Sequence, residues 1–284
     1  MATTMITKLD GKNPSVAFLG PRGTYSQAAV IEHFGSTCEL LECAGIEDVF
    51  AAVEEHYADF GVVPVENSTE GAINNTQDCL LHSSLKIIGE KIVSIEHNLL
   101  ANQEADGSKV DTIASHQQSL AQCRHWLKKH YPKARQIECT SNAEAALKAQ
   151  NDSRIAAVAG LLAATIYDLK IVHASIQDQD HNSTRFLVLA RQGTVATGND
   201  KTSVLIHTEN KPGALFRILQ PFEKLQVSLS KIETRPSKQE AWEYVFFIDF
   251  EGHIQDQAIK ELFAQLQQCT AEIKVLGSYP AAFN

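Results

Sequence analysis

Short apolar runs and helix-opening signatures alternate through the first two thirds of the chain, and few folds accommodate that order. Val16-Ala17-Phe18-Leu19 reads as a strand. Thr24-Tyr25-Ser26-Gln27 follows at the spacing in which a hydroxyl and a long polar side chain exchange bonds across a helix start. Phe60 to Val65 is a second apolar run, with Asn67 or Ser68 placed to cap what comes next. Val110 to Ala114 is a third and leads into Ser115-His116-Gln117-Gln118, again at capping spacing. Ser141-Asn142-Ala143-Glu144 opens an alanine-rich helix, and Ile155 to Ala159 is a further strand that passes through Gly160 into a helix over Leu161 to Leu169. Strands alternating with helices predict an α/β domain with a largely parallel sheet.

Residues 192–202 are polar and glycine-containing, and the order changes beyond them. Ser203 to Thr208 reads as a strand, Gly213 to Leu225 as an amphipathic helix, and Val227 to Glu233 and Ala241 to Phe250 as strands. Asp256 to Gln268 is a second helix and Ile273 to Tyr279 a last strand. Trp242, Tyr244 and Phe246 alternate as expected for the core face of a sheet. The order βαββαβ is that of a ferredoxin-like module. The expected organisation is therefore an α/β region over 15–191, a linker over 192–202 and a small module over 203–284.

Composition removes several classes of function. Of 284 residues 44% are hydrophobic and 21% charged, which suits a folded chain with a sizeable core. The net charge of -9 argues against nucleic acid as a partner. No apolar run is long enough to span a membrane, and the first fourteen residues hold no signal-peptide core. The six cysteines form no CxxC pair, so reduced thiols and a cytoplasmic location are expected. His125 and His130 are wrongly spaced for one helix face and no HExxH occurs, so no metal site is expected. Nucleotide and flavin motifs are also lacking, which predicts chemistry without a cofactor.

Three polar clusters fall where apolar strands give way to the next element. They are Gly20-Pro21-Arg22-Gly23-Thr24-Tyr25-Ser26, Pro64-Val65-Glu66-Asn67-Ser68-Thr69-Glu70-Gly71 and His181-Asn182-Ser183-Thr184-Arg185-Phe186. In open α/β sheets the ligand crevice lies at the carboxyl ends of strands, and helix N-termini there offer free N–H groups to anions. Together the clusters could hold a small polyanion in spite of the acidic overall balance.

These residues resemble the prephenate dehydratases over nearly everything from Val16 to the C-terminus. Asn182-x-Thr184-Arg185-Phe186 is similar to that family's catalytic TRF motif, and the other two clusters are similar to its other signatures. Ser115-His116 with Gln122-Cys123 resembles the pairing on its second lobe. The C-terminal module resembles an ACT domain, with Asn210-Lys211-Pro212-Gly213-Ala214-Leu215 and Glu233-Thr234-Arg235-Pro236 where the family binds phenylalanine. Thr234 stands where the family usually has Ser.

The resemblance implies conversion of prephenate to phenylpyruvate, water and carbon dioxide in phenylalanine biosynthesis. It implies two α/β lobes similar to a type 2 periplasmic binding fold, an ACT domain that answers to L-phenylalanine, and a homodimer or homotetramer joined through that domain. The short stretch before the first strand implies a monofunctional chain rather than a fusion to chorismate mutase. Arogenate is the rival substrate; a solute-binding protein or an amino-acid sensor without chemistry is the rival from another class. Carried over residue by residue, Thr184, Glu66, Asn67, Ser115 and Gln122 are the catalytic candidates. Thr24, Ser68, Asn182, Arg185 and Arg22 are the candidates for substrate binding. Asn210, Pro212, Gly213, Ala214, Leu215, Glu233, Thr234, Arg235 and Pro236 are the candidates for the effector. Thr184 would donate a hydrogen bond that strengthens as the ring hydroxyl departs, and Arg185 carries the fork suited to a carboxylate. Tyr25 and Phe186 are expected to pack, His116 to bond locally, and Gly213 to let a ligand or a partner chain come close.

Overall fold

The computed structural model describes residues 12–105, 110–208, 211–236 and 244–282. The chain falls into two compact units. One holds the chain up to Thr76 together with Lys91–Phe186; the other holds Gln77–Glu90 and the chain from Leu187 onward.

The first part runs β1 (Ser15–Leu19), α1 (Tyr25–Phe34), β2 (Glu39–Cys43), α2 (Ile46–Glu54), β3 (Phe60–Asn67), β4 (Gly71–Ala72), α3 (Asn74–His82) and β5 (Lys86–Ser94). A second set follows: β6 (Asn98–Asn102), β7 (Thr112–His116), α4 (Gln117–Gln122), α5 (Arg124–His130), β8 (Arg135–Cys139), α6 (Asn142–Asn151), β9 (Ile155–Ala159), α7 (Leu161–Ile166) and β10 (Leu169–His173). The chain then forms β11 (Ser183–Ala190). Two sheets result, one ordered β2-β1-β3-β11-β5 with β4 on β3, the other β10-β6-β9-β7-β8. The α/β region thus has two lobes. Elements α3 and β11 run on from the first unit into the second, and β5 from the second into the first.

β1 lies between β2 and β3 and is parallel to both, Ala17 pairing with Leu41 and with Gly61. Val16, Ala17 and Phe18 are fully buried, which is why this strand reads as an unbroken apolar run rather than an alternating one. The second sheet is mixed, not largely parallel. β7 is parallel to β8 and β9, while β6 is antiparallel to β9 and β10.

Helix starts differ from the sequence expectation in their chemistry. Thr24 is the N-cap of α1 without a side-chain cap bond, and Gln27 instead accepts from Gly23 N at 2.7 Å. Asn67 caps no helix. Its Oδ1 closes a turn, accepting from Thr69 N and Glu70 N, and the next helix waits until Asn74. His116, the last residue of β7, caps α4 in place of Ser115, its side chain accepting from Gln118 N. Ser141 does cap α6, accepting from Glu144 N at 3.0 Å.

The second unit completes with β12 (Asp200–His207), α8 (Ala214–Lys224), β13 (Leu229–Pro236), β14 (Tyr244–Glu251), α9 (Gln257–Leu266) and β15 (Glu272–Pro280). The sheet is antiparallel in the order β13-β14-β12-β15, so the βαββαβ order is present. β12 begins at Asp200, inside the expected linker. Asp200 pairs with Pro280, and its carboxylate gathers Thr197 N and Gly198 N into a tight turn just before the strand. Phe246, Ile248 and Phe250 pack with Ile218, Phe222, Ile259 and Leu262 of the two helices. Tyr244 departs from the expected core role: it opens β14 and is 40% exposed. Trp242 and Asn210 lie outside the described residues.

The segment Gln77–Glu90 is built into this unit. Lys274 Nζ donates to the carbonyls of Leu80, Leu81 and Ser83 at 3.0, 2.9 and 2.8 Å, closing the carbonyl end of α3. Arg235 on β13 pairs with Asp78 on α3 at 2.8 Å, and Lys201 pairs with the buried Glu90 at 2.8 Å. A Cβ at Gly277 would stand 2.1 Å from Ile87 O, so β15 and the start of β5 meet backbone to backbone.

Candidate active site

Thr184 and Phe186 line a cavity of about 450 Å3 in the first unit. Arg185, between them on β11, is not a lining residue, because successive strand side chains take opposite faces. Asn67, at the end of β3, donates from Nδ2 to Thr184 Oγ1 and to Asn182 Oδ1, each at 2.9 Å. Its Oδ1 accepts from the Thr69 and Glu70 N–H groups at 3.0 and 3.1 Å. A backbone N–H can only donate, so the amide is locked with its NH2 toward Thr184. Thr184 Oγ1 therefore accepts from Asn67 and keeps its own hydrogen for another partner. Thr184 lines the cavity, where such a partner can be met.

The order of donors continues across the lobe. Asn182 Nδ2 donates to Gln122 Oε1 at 2.9 Å, and Gln122 Oε1 also lies 2.7 Å from His97 Nε2. An oxygen already accepting from Asn182 faces His97 as an acceptor, so His97 carries its hydrogen on Nε2. Burial holds His97 below the ordinary histidine pKa, partly opposed by the Gln122 bond, and the ring is neutral. Tyr25 Oη donates to Glu96 O at 2.7 Å and lies 3.1 Å from His97 Nδ1. Burial pushes the Tyr25 phenol up, so it stays a donor. Tyr25 lines the cavity and belongs to this network rather than packing alone. Sequence reasoning passed over His97. Its only local signal is a polar His97-Asn98 pair directly before the apolar run of β6.

The second lobe contributes His116, Ser119, Gln122 and Asn142 to the lining. Ser115 is not among them. It is fully buried in β7, where its hydroxyl contacts Val158 O and, at 3.2 Å, Asn142 Oδ1. Ser115 is a strand residue and Gln122 ends α4, so the two share no helix face. Asn142, at the start of α6, was also passed over; its position inside an apparent capping box hid it. Cys123 is buried and its thiol is pushed up to about 12, chiefly by burial, which removes it as a nucleophile.

The remaining candidates divide. Thr24 lines the cavity, with its hydroxyl 3.4 Å from Leu19 O. Ser68 lies behind it, accepting from Ser183 N at 2.9 Å and reaching Asn182 Oδ1 at 3.4 Å. Glu66 does not line the cavity; it pairs with Ala72 across the β3–β4 ladder. Arg22 is turned to Glu42, which takes its N–H at 3.1 Å and stands 3.9 Å from Nε. Gln122 and Asn182 also border a second cavity of about 260 Å3, where Asp178 accepts from the His125 and Trp126 N–H groups that open α5. Among the described residues no Lys or Arg lines the larger cavity. Among the described residues no three His, Cys, Asp or Glu side chains cluster as a metal site.

The effector candidates lie in the second unit. Gly213 caps α8 with φ of 78°, and an added Cβ would meet only the movable Arg217 side chain. The left-handed backbone at this position favours glycine in its own right. Pro212, Gly213 and Leu215 are exposed and Ala214 half-buried. On β13 the residues alternate. Glu233 pairs with Lys231 at 3.2 Å and Arg235 with Asp78, while Thr234 and Pro236 are exposed.

Oriented hydrogen-bond donors on strand ends around a polar cavity are what an enzyme of small anionic substrates requires, and a ferredoxin-like module gives the chain the plan of a regulated one. Known proteins narrow that class. The prephenate dehydratase family profile matches residues 16–194, and the ACT domain profile matches residues 202–268. A bifunctional chorismate mutase/prephenate dehydratase of Pseudomonas aeruginosa is 46% identical over 267 residues, which are 94% of this chain and 73% of that protein. A prephenate dehydratase of Methanocaldococcus jannaschii is 36% identical over 275 residues, covering 94% and 98%. The solved structure of prephenate dehydratase from Arthrobacter aurescens in complex with L-Phe superposes with a TM-score of 0.86 at 33% identity, covering 94% and 89%. The chain belongs to the prephenate dehydratase family, and its C-terminal module is an ACT domain.

Proposed function

We infer that the protein converts prephenate to phenylpyruvate in phenylalanine biosynthesis and that phenylalanine regulates it through the ACT domain. In the reaction the bond from the ring to its carboxylate breaks and carbon dioxide leaves. The released electron pair enters the ring, the bond to the ring hydroxyl breaks at the far end, and one proton converts the departing hydroxide to water. Aromatisation drives the change, so the protein has to hold the substrate and stabilise the leaving oxygen.

The Asn67–Thr184 bond is the observation that carries this reading. A hydroxyl that already accepts from a locked amide aims its single hydrogen at a fixed point. A donor so placed gains strength as charge develops on the leaving oxygen. Threonine is too weak an acid to surrender its proton, and delivery is shared through the hydrogen-bond network around it. Pro64, Ile73, Ile95 and Phe186 give the ring an apolar bed. Thr24, Tyr25 and Ser26 bring the start of α1 to the cavity, and its partial positive charge favours an anion there.

Purified protein given prephenate should form phenylpyruvate, followed by ultraviolet absorbance, with arogenate run in parallel. Thr184→Ala should fold and lose ~10²–10³ in turnover, and Thr184→Ser should keep a measurable part. Wild-type turnover in the alanine variant would sink the assignment.

Regulation follows from the other unit. β13 is an edge strand whose flank exposes Ile232 and Tyr244, and α8 opens with exposed Leu215 and Phe216. Edges and patches of this kind call for a partner, and a second copy of the chain placed there makes a homodimer or homotetramer. Phenylalanine would sit where Gly213-Ala214-Leu215 of one copy meets Thr234 and Pro236 of the next. Light scattering gives the oligomer, and calorimetry with L-phenylalanine gives binding; a monomer that ignores phenylalanine would refute this part. The six free cysteines fit a cytoplasmic location.

A further inference from the structure

We propose that Asn142, with His116 beside it, receives the substrate's side-chain carboxylate. The proposal rests on the cavity being the prephenate site and names the part of that site supplied by the second lobe.

Backbone N–H groups set both side chains before any ligand arrives. The His116 N–H donates to Asn142 Oδ1 at 3.4 Å, and the hydroxyls of Ser119 and Ser115 lie 3.0 and 3.2 Å from the same oxygen. Turning the amide over would set its NH2 against an N–H that can only donate. Nδ2 therefore takes the cavity side, and among the described residues it has no protein partner. His116 is fixed in the same way. The Gln118 N–H donates to its Nδ1 at 3.3 Å, which leaves the ring hydrogen on Nε2. Two oriented donors thus stand together on one wall.

The substrate needs such a pair. It carries two carboxylates, and among the described residues no Lys or Arg lines the cavity. Both carboxylates sit at the ring end opposite the departing hydroxyl. Thr184 meets the hydroxyl from the first lobe, and Asn142 and His116 belong to the other. The ring carboxylate loses its charge as carbon dioxide forms, so donors fixed on it would resist the reaction. The side-chain carboxylate keeps its charge throughout, and rigid donors hold it equally at every stage. Ser115 then acts through Asn142 as a positioning residue and touches no substrate.

Asn142→Asp tests this with little change of shape. The inner oxygen still accepts from the His116 N–H and the Ser119 hydroxyl, while the cavity side changes from NH2 to a charged oxygen. We expect the melting temperature to hold and the KM for prephenate to rise about tenfold or more, outweighing any fall in kcat. The inhibition constant of phenylpyruvate, which retains the same carboxylate, should rise by a similar factor. Ser115→Ala should shift KM in the same direction by less, and Asn142→Ala serves if the aspartate variant fails to fold. A wild-type KM in a folded Asn142 variant, a loss confined to kcat, or an unmoved phenylpyruvate constant overturns the proposal. Thr184→Ala in the same assay separates the two readings. If it keeps full turnover, the cavity is the wrong site. If it is inactive while the Asn142 variants bind normally, only the role of Asn142 falls.

Discussion

Asn67 shows how much of this site depends on which way one amide faces. Its oxygen is held by two backbone N–H groups and its nitrogen serves Thr184 and Asn182. Asn67→Asp keeps the first pair of bonds, sets a carboxylate oxygen against Asn182 Oδ1 and draws the Thr184 hydrogen away from the cavity. Turnover should fall by ~10² or more, and thermal denaturation should show a lower midpoint; an active, equally stable variant would remove Asn67 from the mechanism. Histidines give a second prediction at this scale. Burial first, and Lys91 second, lower His33 to about 4, and burial lowers His97. Both are neutral in the fold, whereas unfolded imidazoles titrate near ~6.5. The unfolded chain therefore binds more protons between those values. Stability is full above about pH 6.5 and declines as pH falls toward about 4. Melting curves across that range should show the slope, and His33→Asn should flatten it.

At the scale of elements, helix starts with similar sequence signals are built differently, and this can be measured. Ser141 accepts from Glu144 N, so Ser141→Ala should cost ~1 kcal/mol in denaturant unfolding. β15 offers a sharper test. Gly277→Ala places a methyl 2.1 Å from Ile87 O and 2.8 Å from Ile87 N, where no side chain can yield. We expect a loss of more than ~3 kcal/mol or failure to fold; near-native stability would show that β5 and β15 can move apart. Alternation along strands also decides which members of a motif reach the cavity. Thr184 does and Arg185 does not, although they are adjacent in sequence.

For the whole molecule, the division of the chain predicts how it tolerates truncation. Gln77–Glu90 lies in the same compact unit as the ACT sheet, held there by Lys274, Arg235 and Lys201. Cutting the chain after residue 200 therefore removes the partners of an internal segment as well as a regulatory domain. Such a fragment should be poorly soluble or melt well below the full chain. A fragment with wild-type melting and turnover would show that the segment stands without its partners. Lys274→Met should act in the same sense more mildly, since three carbonyls at the end of α3 lose their donor.

The sequence by itself determined the βαββαβ module, the strand–helix alternation of the first two thirds, and four residues that line one cavity: Thr24, Asn67, Asn182 and Thr184; Gln122 came only with the family resemblance. The first group are local matters. Periodicity of apolar residues selects the element, and polar clusters at strand ends select the place. Tertiary structure alone decided the rest. His97 and Asn142 enter the site because sheet order brings distant strand ends together, and no neighbouring residue announces that. Ser115, Glu66, Arg22 and Arg185 leave the lining because strand direction and the nearest partner settle where a side chain points. Residues 77–90 join the C-terminal unit because a sheet has two faces and the helices α8 and α9 cover only one. The other face is buried by chain from far upstream, a choice made by packing between segments more than a hundred residues apart.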